Sequence, residues 1–416
     1  MADLEAKETQ VTSRERIVSA MRHSESDRVP IDLGGMRSTG IHAIAYRRLC
    51  DLLGFSELSV KVYDVHQMLA HVDECVRKEI HSDVIELKRL NGGFGTRIDS
   101  WIECDLFKNS SKYLFPQGFD PKKAEDGSLV IARDGIEVAR MPQGGHYFDR
   151  SYFPLHGATG KKEIDMVVGP KLIDQETEFL KRQLGKIRNS TECAVIGAFG
   201  GNFVEAGHSL FGYQEFMERL ITDLPLMEYF LDRLLESYQI DLERYLAAVG
   251  DEIDIIQIGD DYGTQGNTAI SPRVFRSIFK PRLKAVCDFI HSRKPELFIF
   301  LHSCGSIYPF IPDFIDAGIQ ILNPVQTNAR NMEPEKLKRK FGKDIVFRGG
   351  GCETQHTLPF GSLKEVEDDV KKRIEENRYF RAWWRLCLFS HPQYSGRSIT
   401  REDLQTFRIC VRIRFR

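Results

Sequence analysis

Two residues of this chain could grip a metal ion together, and a third could join them. His302 and Cys304 stand two positions apart at the end of the apolar run Leu297–Leu301, and Gly305 follows. On an extended segment such residues point to the same side, so imidazole and thiol can face one ligand. One strand–helix unit downstream, the apolar Ile345-Val346-Phe347 runs through Arg348 into Gly349-Gly350-Gly351-Cys352. If both runs are neighbouring strands of a parallel barrel, their ends converge on one rim and His302, Cys304 and Cys352 meet there. An imidazole with two thiolates is a zinc set that leaves a fourth position open, as catalysis requires. The alternative is a buried histidine bonded to backbone, beside two inert thiols.

Acidic and polar candidates follow other apolar runs. Asp260 and Asp261 stand just past Asp254–Ile258, and two adjacent carboxylates at a rim shift their pKa values or take a cation. Either could act catalytically; the alternative is that Asp261 caps a loop. Gly200-Gly201-Asn202-Phe203-Val204-Glu205 closes another run. Its glycines let backbone approach a ligand that Asn202 or Glu205 could bond, and Gln326 in Asn323-Pro324-Val325-Gln326 is a similar candidate. The triplet Gly349–Gly351 lacks the Lys and Ser/Thr of a P-loop, which disfavours nucleotide binding. No Ser-His-Asp or nucleophile-elbow pattern stands out.

The elements that would position these side chains alternate. Apolar runs at Asp83–Leu87, Ala194–Phe199, Asp254–Ile258, Leu297–Leu301, Ile319–Leu322 and Ile345–Phe347 read as strands. Helical patterns fall between most of them, at 175–188, 213–222, 226–249, 272–292, 308–317 and 335–341, with a last one at 363–376. Val29–Leu33 reads as a first strand, and helices are expected at 13–22, 41–53 and 65–79, with Ser13 as the first N-cap. Strand–helix repetition means a parallel sheet. The expected fold class is α/β, a (β/α)8 TIM barrel with seven of its eight strands readable. Between about 91 and 165 the rhythm breaks into short runs separated by Asp126-Gly127 and Asp134-Gly135, which predicts a β-rich insertion of hairpins after the second strand.

The expected domain organisation is a disordered lead at 1–12, the barrel at 13–377 and an aberrant arginine-rich tail at 378–416. The tail carries no lysine and has Trp383 beside Trp384. Shifting its reading frame by one base permits Pro-Gly-Gly-Gly-Tyr-Val-Phe and then Ile-His-Asn-Ile-Gln-Ala-Asp, a glycine turn feeding the missing eighth strand. A frameshift near Asn377 is therefore expected to have lost or altered that strand. A basic tail is the plainer alternative.

Bulk properties exclude several classes. A net charge of −2 over 416 residues speaks against a nucleic-acid binder. No apolar run reaches membrane-spanning length, and the polar start does not read as a leader, so the cytoplasm is the expected compartment. Nine scattered cysteines suit free thiols and metal ligands better than a disulfide framework.

Several motifs together resemble the uroporphyrinogen decarboxylase superfamily. They are Arg28-Val29-Pro30, Gly259-Asp260-Asp261-Tyr262-Gly263, His302-Ser303-Cys304-Gly305-Ser306, Gly349-Gly350-Gly351-Cys352-Glu353-Thr354-Gln355 and Leu358-Pro359-Phe360-Gly361. The resemblance implies the (β/α)8 fold and one of two chemistries. Decarboxylases of this superfamily work without metal, binding porphyrinogen carboxylates through a Met-Arg-Gln-Ala-Gly-Arg run and the pyrroles through an aspartate. Here only Met36-Arg37 echoes that run, which makes Arg37 a substrate-binding candidate, and Asp83 is the nearest aspartate. The other branch comprises corrinoid-dependent methyltransferases with a zinc held by H-x-C and a later cysteine. It matches His302 and Cys304, with Cys352 in the later position, and Asp260, Asp261 or Glu353 as a fourth ligand or supporting group. It implies a thiol-type methyl acceptor and a small corrinoid-carrier protein as partner. A non-catalytic corrinoid- or tetrapyrrole-binding protein is the third expectation.

Overall fold

The computed structural model describes residues 11–107 and 112–376. Its centre is a sheet of six parallel strands: β1 (Val84–Leu87), β2 (Ala194–Gly200), β3 (Ile255–Gly259), β4 (Phe298–His302), β5 (Ile321–Asn323) and β6 (Val346–Phe347). They lie side by side in chain order. Helices link them, with Asp174–Ser190 before β2, Leu224–Val249 after it, Lys280–Arg293 before β4, Ile311–Ala317 before β5 and Pro334–Phe341 before β6.

The strands are apolar along their length because both faces are covered, as parallel sheets require. Ile299 and Leu301 of β4 pack outward with Val195, Ile256, Leu322 and Phe347 against the helices. Phe300 packs inward with Val84, Ile196, Ile255, Ile321 and Val346 in a separate cluster. That inner cluster also receives Ile17, Ala20 and Met21 from the helix Ser13–Met21. Thr12, not Ser13, caps this helix: its side chain accepts the Glu15 N–H while the Glu15 carboxylate accepts the N–H of Thr12. Residue 12 is therefore the N-cap of the first helix.

Two expectations fail near the start. Val29–Leu33 runs beside β1 without joining the ladder. The Asp83 N–H donates to the Ile31 carbonyl at 2.8 Å, but the Ile31 N–H goes to the Asp83 carboxylate at 2.8 Å and that of Leu33 to the Ser82 hydroxyl at 3.1 Å. Pro30 has no N–H to give. The expected helix 65–79 shrinks to Glu74–Glu79, preceded by strands Val60–Asp64 and Leu69–Ala70. The Asp64 carboxylate accepts the N–H groups of His66 and Gln67, both at 2.9 Å, and Met68 takes a φ of +55°. That local turn outcompetes the helical spacing of the apolar residues.

The β-rich insertion forms hairpins as expected. Arg97–Glu103 pairs antiparallel with Tyr113–Gln117, which continues onto Val60–Asp64, while Leu129–Arg133 and Ile136–Met141 form the core of a second sheet. Asp134 and Gly135 both have positive φ, +50° and +79°, the geometry of a two-residue hairpin turn. Phe115 and Phe119 stack with ring centroids 4.5 Å apart. Their cluster also holds Tyr46 and Leu49 from the helix Ala43–Leu52, and Val366 and Val370 from the last helix, Leu363–Glu376. No helix among the described residues is long and apolar enough to cross a membrane. The expected eighth strand and the arginine-rich tail fall on residues 377–416, outside the described residues.

Candidate metal centre

At the C-terminal end of β4, His302 Nε2 lies 3.4 Å from Cys304 Sγ and 3.8 Å from Asp261 Oδ1. One ligand atom from each of Asp261, His302 and Cys304 falls within 4.8 Å of the others, and among the described residues no other such group of three exists. Imidazole nitrogen, thiol sulfur and carboxylate oxygen are all donors that zinc accepts, and three protein ligands leave a position open.

Close backbone packing brings two loops to this point. His302 ends β4 and pairs in register with Gly259 of β3, so the loop bearing Asp261 and the loop bearing Cys304 leave the sheet side by side. Gly305, at φ +83°, rests directly on Gly263: a Cβ on it would lie 2.5 Å from the Gly263 carbonyl carbon. Only glycine allows that approach. The Asp260 N–H donates to the His302 carbonyl at 2.9 Å, and the Cys304 N–H donates to Asp261 Oδ1 at 2.7 Å. The Asp261 carboxylate is thus aimed before any ion arrives. On the other side of His302, Nδ1 lies 2.7 Å from Asn323 Oδ1 at the end of β5.

The three ligand-type residues border a cleft of about 460 Å³ at the strand ends, together with Arg37, Asn202, Glu205, Gln326 and the Gly349–Gly351 turn. Glu205 carries a pKa pushed up to about 8, first by burial and then by the charges of Asp261 and Asp260, with Arg37 opposing. Asn202 Nδ2 donates to the Glu205 carboxylate. Arg37 is half-exposed within the cleft and paired with Asp64, whose charge raises its pKa further. Gln326 Oε1 accepts the Gly305 N–H at 3.0 Å, so this side chain braces the Cys304 loop from across the cleft.

Three expectations are corrected by placement. Cys352 borders the cleft but is not part of the donor group; Asp261 stands in its place. The Cys352 thiol is 4% exposed and donates to the Glu353 carbonyl at 3.7 Å. Burial, then the neighbouring Asp369 charge, raises its pKa, which works against thiolate formation. Asp260 is not a rim catalyst. It is buried and accepts the N–H groups of Phe203, Val204 and Glu205 at 2.6, 2.8 and 2.9 Å, with the Tyr262 hydroxyl donating at 3.1 Å. It caps the helix Val204–Phe211 and thereby holds Glu205 in the cleft. Burial lifts its pKa to about 7 against those hydrogen bonds. Glu353 accepts the N–H groups of Gln355, His356 and Thr357 and a side-chain N–H of Asn328, which commits both its oxygens away from the donor group.

Asn323 was passed over in the sequence, where only its loop was noted. The available signal was its register with His302 across the β4–β5 pair, which spacing along the chain does not reveal.

A profile of the uroporphyrinogen decarboxylase (URO-D) family matches residues 157–382, more than half of the 416. The chain belongs to the URO-D family. The match takes in β2 to β6 and both loops of the donor group. The URO-D fold is a TIM barrel, and the six parallel strands around one inner cluster are this chain's described part of it. Among solved structures, the chain is similar to a methyltransferase from Methanosarcina mazei, at 16% identity and a TM-score of 0.52, covering 96% of this chain and 98% of that one. A psychrophilic glycoside hydrolase family 10 endo-beta-1,4-xylanase also matches, at 11% identity and a TM-score of 0.34, over 55% of this chain and 74% of that one. That likeness is too slight to bear on the fold. No curated protein matches the chain.

Proposed function

We propose that this URO-D family protein is a zinc-dependent methyltransferase that moves a methyl group between a corrinoid and a thiol-type acceptor. The observation that carries the reading is the convergence of His302 Nε2, Cys304 Sγ and an Asp261 carboxylate oxygen at the mouth of a cleft, within 4.8 Å of one another. Those residues would hold the zinc. When bound, the metal supplies a Lewis acid that lowers the pKa of an acceptor thiol. The name of the Methanosarcina mazei neighbour accords with this class of reaction.

The chain's own residues would do the rest. A cleft of about 460 Å³ suits a small acceptor. It is too small for a corrinoid with its nucleotide tail, so the reading keeps the corrinoid on a separate small carrier protein docked over the mouth. Arg37 and Gln326 offer donors that orient the acceptor. Glu205, with a pKa near 8, can take the thiol proton and return it to water. The corrinoid on its carrier would supply the methyl group and keep the electron pair of the bond given up, while Arg37 and Gln326 hold the thiolate that takes the methyl.

Porphyrinogen decarboxylation fits less well. Asp83, the nearest match to the pyrrole-binding aspartate, precedes β1 at the end of the sheet away from the cleft. It is fully buried, and Arg16, Arg28 and Ser13 all donate to it. Methylcobalamin offered with a panel of small thiols tests the proposal. Zinc-dependent loss of the methylcobalamin spectrum with formation of a thioether is expected. A metal-free protein that consumes uroporphyrinogen would reject the reading, and corrinoid binding without transfer would point to a non-catalytic binder.

A further inference from the structure

Asn323 is buried completely at the end of β5, and each polar atom of its side chain has a partner. Its Nδ2 donates to the Arg348 carbonyl at 2.7 Å. A carbonyl can only accept, so this bond sets which way the amide faces and turns Oδ1 toward His302. Oδ1 in turn accepts from the Ser38 hydroxyl at 3.1 Å and lies 2.7 Å from His302 Nδ1. An amide oxygen cannot donate, so a neutral imidazole must carry its proton on Nδ1 to make this contact. The other tautomer would set two lone pairs against each other. Nε2 is then left with its lone pair, on the side facing Cys304 Sγ at 3.4 Å and Asp261 Oδ1 at 3.8 Å.

The support behind Asn323 is itself hydrogen-bonded and buried. The Ser303 N–H donates to the Asn323 carbonyl at 2.7 Å, tying the ends of β4 and β5 together. Arg348, whose carbonyl orients the amide, is itself buried and paired with Asp32, and its guanidinium lies 4.9 Å from the Phe300 ring centre.

We infer that Asn323 is a positioning residue that fixes His302 in the Nδ1–H tautomer, so that Nε2 is presented to a metal before one binds. This rests on the metal-centre reading proposed above, but its first test does not need the metal. Nitrogen–proton correlation spectra of the metal-free full-length protein at mildly alkaline pH report the tautomer of each histidine, and the His302→Gln variant identifies the His302 signals. The expected result is the Nδ1–H pattern in the wild-type protein. The Nε2–H pattern overturns the inference, whatever the protein does with zinc.

Two variants then separate orientation from folding. Asn323→Leu removes the acceptor and should let the tautomers mix, weakening zinc binding about tenfold to a hundredfold in chelator competition. Asn323→Asp keeps an acceptor facing Nδ1 but sets its second oxygen against the Arg348 carbonyl, so it should lower the denaturation midpoint while retaining the Nδ1–H pattern. An Asn323→Leu protein with unchanged tautomer and affinity contradicts the inference. A wild-type protein that shows the Nδ1–H pattern and binds no zinc supports the hydrogen-bond assignment and sinks the metal-centre reading instead.

Discussion

Glu205 shows how one buried side chain ties the site to the stability of the whole. Its carboxyl is pushed from 4.5 up to about 8, chiefly by burial and by the nearby Asp261 charge. A carboxyl with a raised folded-state pKa keeps its proton in the native protein after the unfolded chain has lost it. Stability therefore falls as pH rises from the unfolded value toward about 8 and levels off beyond. In the metal-free protein, Glu205→Gln should raise the denaturation midpoint at about pH 9, by the equivalent of a few kcal/mol, and leave it nearly unchanged at about pH 4. Equal effects at both pH values would show that the side chain is not titrating there. Residues of this kind are only half legible in a sequence. His302 and Cys304 declare themselves because their partnership is local, two positions along one strand. Cys352 misleads, because a thiol near a strand end is placed by the loop that folds over it, and here that loop turns it toward Glu353 and Asp369. Asp260 and Asp261 are adjacent and chemically alike, yet one turns into a helix cap and the other toward the donor group of His302 and Cys304.

Among elements, the two loops after β3 and β4 matter most, because their contact sets the distance between ligands. Gly305→Ala would place a Cβ 2.5 Å from the Gly263 carbonyl carbon and 2.7 Å from the Thr264 carbonyl oxygen, at a φ of +83°. The strain costs about 1–3 kcal/mol, a loss the folded protein should survive. Spreading the loops moves Asp261 from Cys304, so zinc affinity should fall by more than the stability change alone explains. Parallel measurement of the urea midpoint and of zinc affinity checks this, and a variant that keeps wild-type affinity contradicts the claim that this contact positions the ligands. Strands β1 to β6 were readable because burial on both faces makes each a nearly continuous apolar run. Val60–Asp64 was not: it falls between the expected helices 41–53 and 65–79, and its short Val-Lys-Val-Tyr-Asp run lacks the continuous apolar pattern of the others.

For the whole molecule, the open question of such a sheet is what joins its edges. In the described residues the segment Val29–Leu33 lies along β1, and Arg348, one residue past β6, reaches across to Asp32. Both side chains of that pair are essentially inaccessible, at 0% and 1%. Removing one partner strands the other, so Asp32→Ala should cost about 3–5 kcal/mol. Replacing both by apolar residues should recover much of that loss, and a double variant no better than the single one would show that the pair is not what joins these edges. The strands that build the inner cluster under this pair were read from the sequence as apolar runs, without the division between inner and outer residues. Its closure by the helix Ser13–Met21 was not, since nothing local tells a helix which end of a barrel it plugs. In the proposed centre one imidazole, one thiolate and one carboxylate share a zinc ion at the rim. X-ray absorption at the zinc edge reads the donor count directly. The account predicts one sulfur at about 2.3 Å with nitrogen and oxygen completing the shell, unchanged in Cys352→Ser. Two sulfurs, or a purified protein that takes up no zinc, would contradict it.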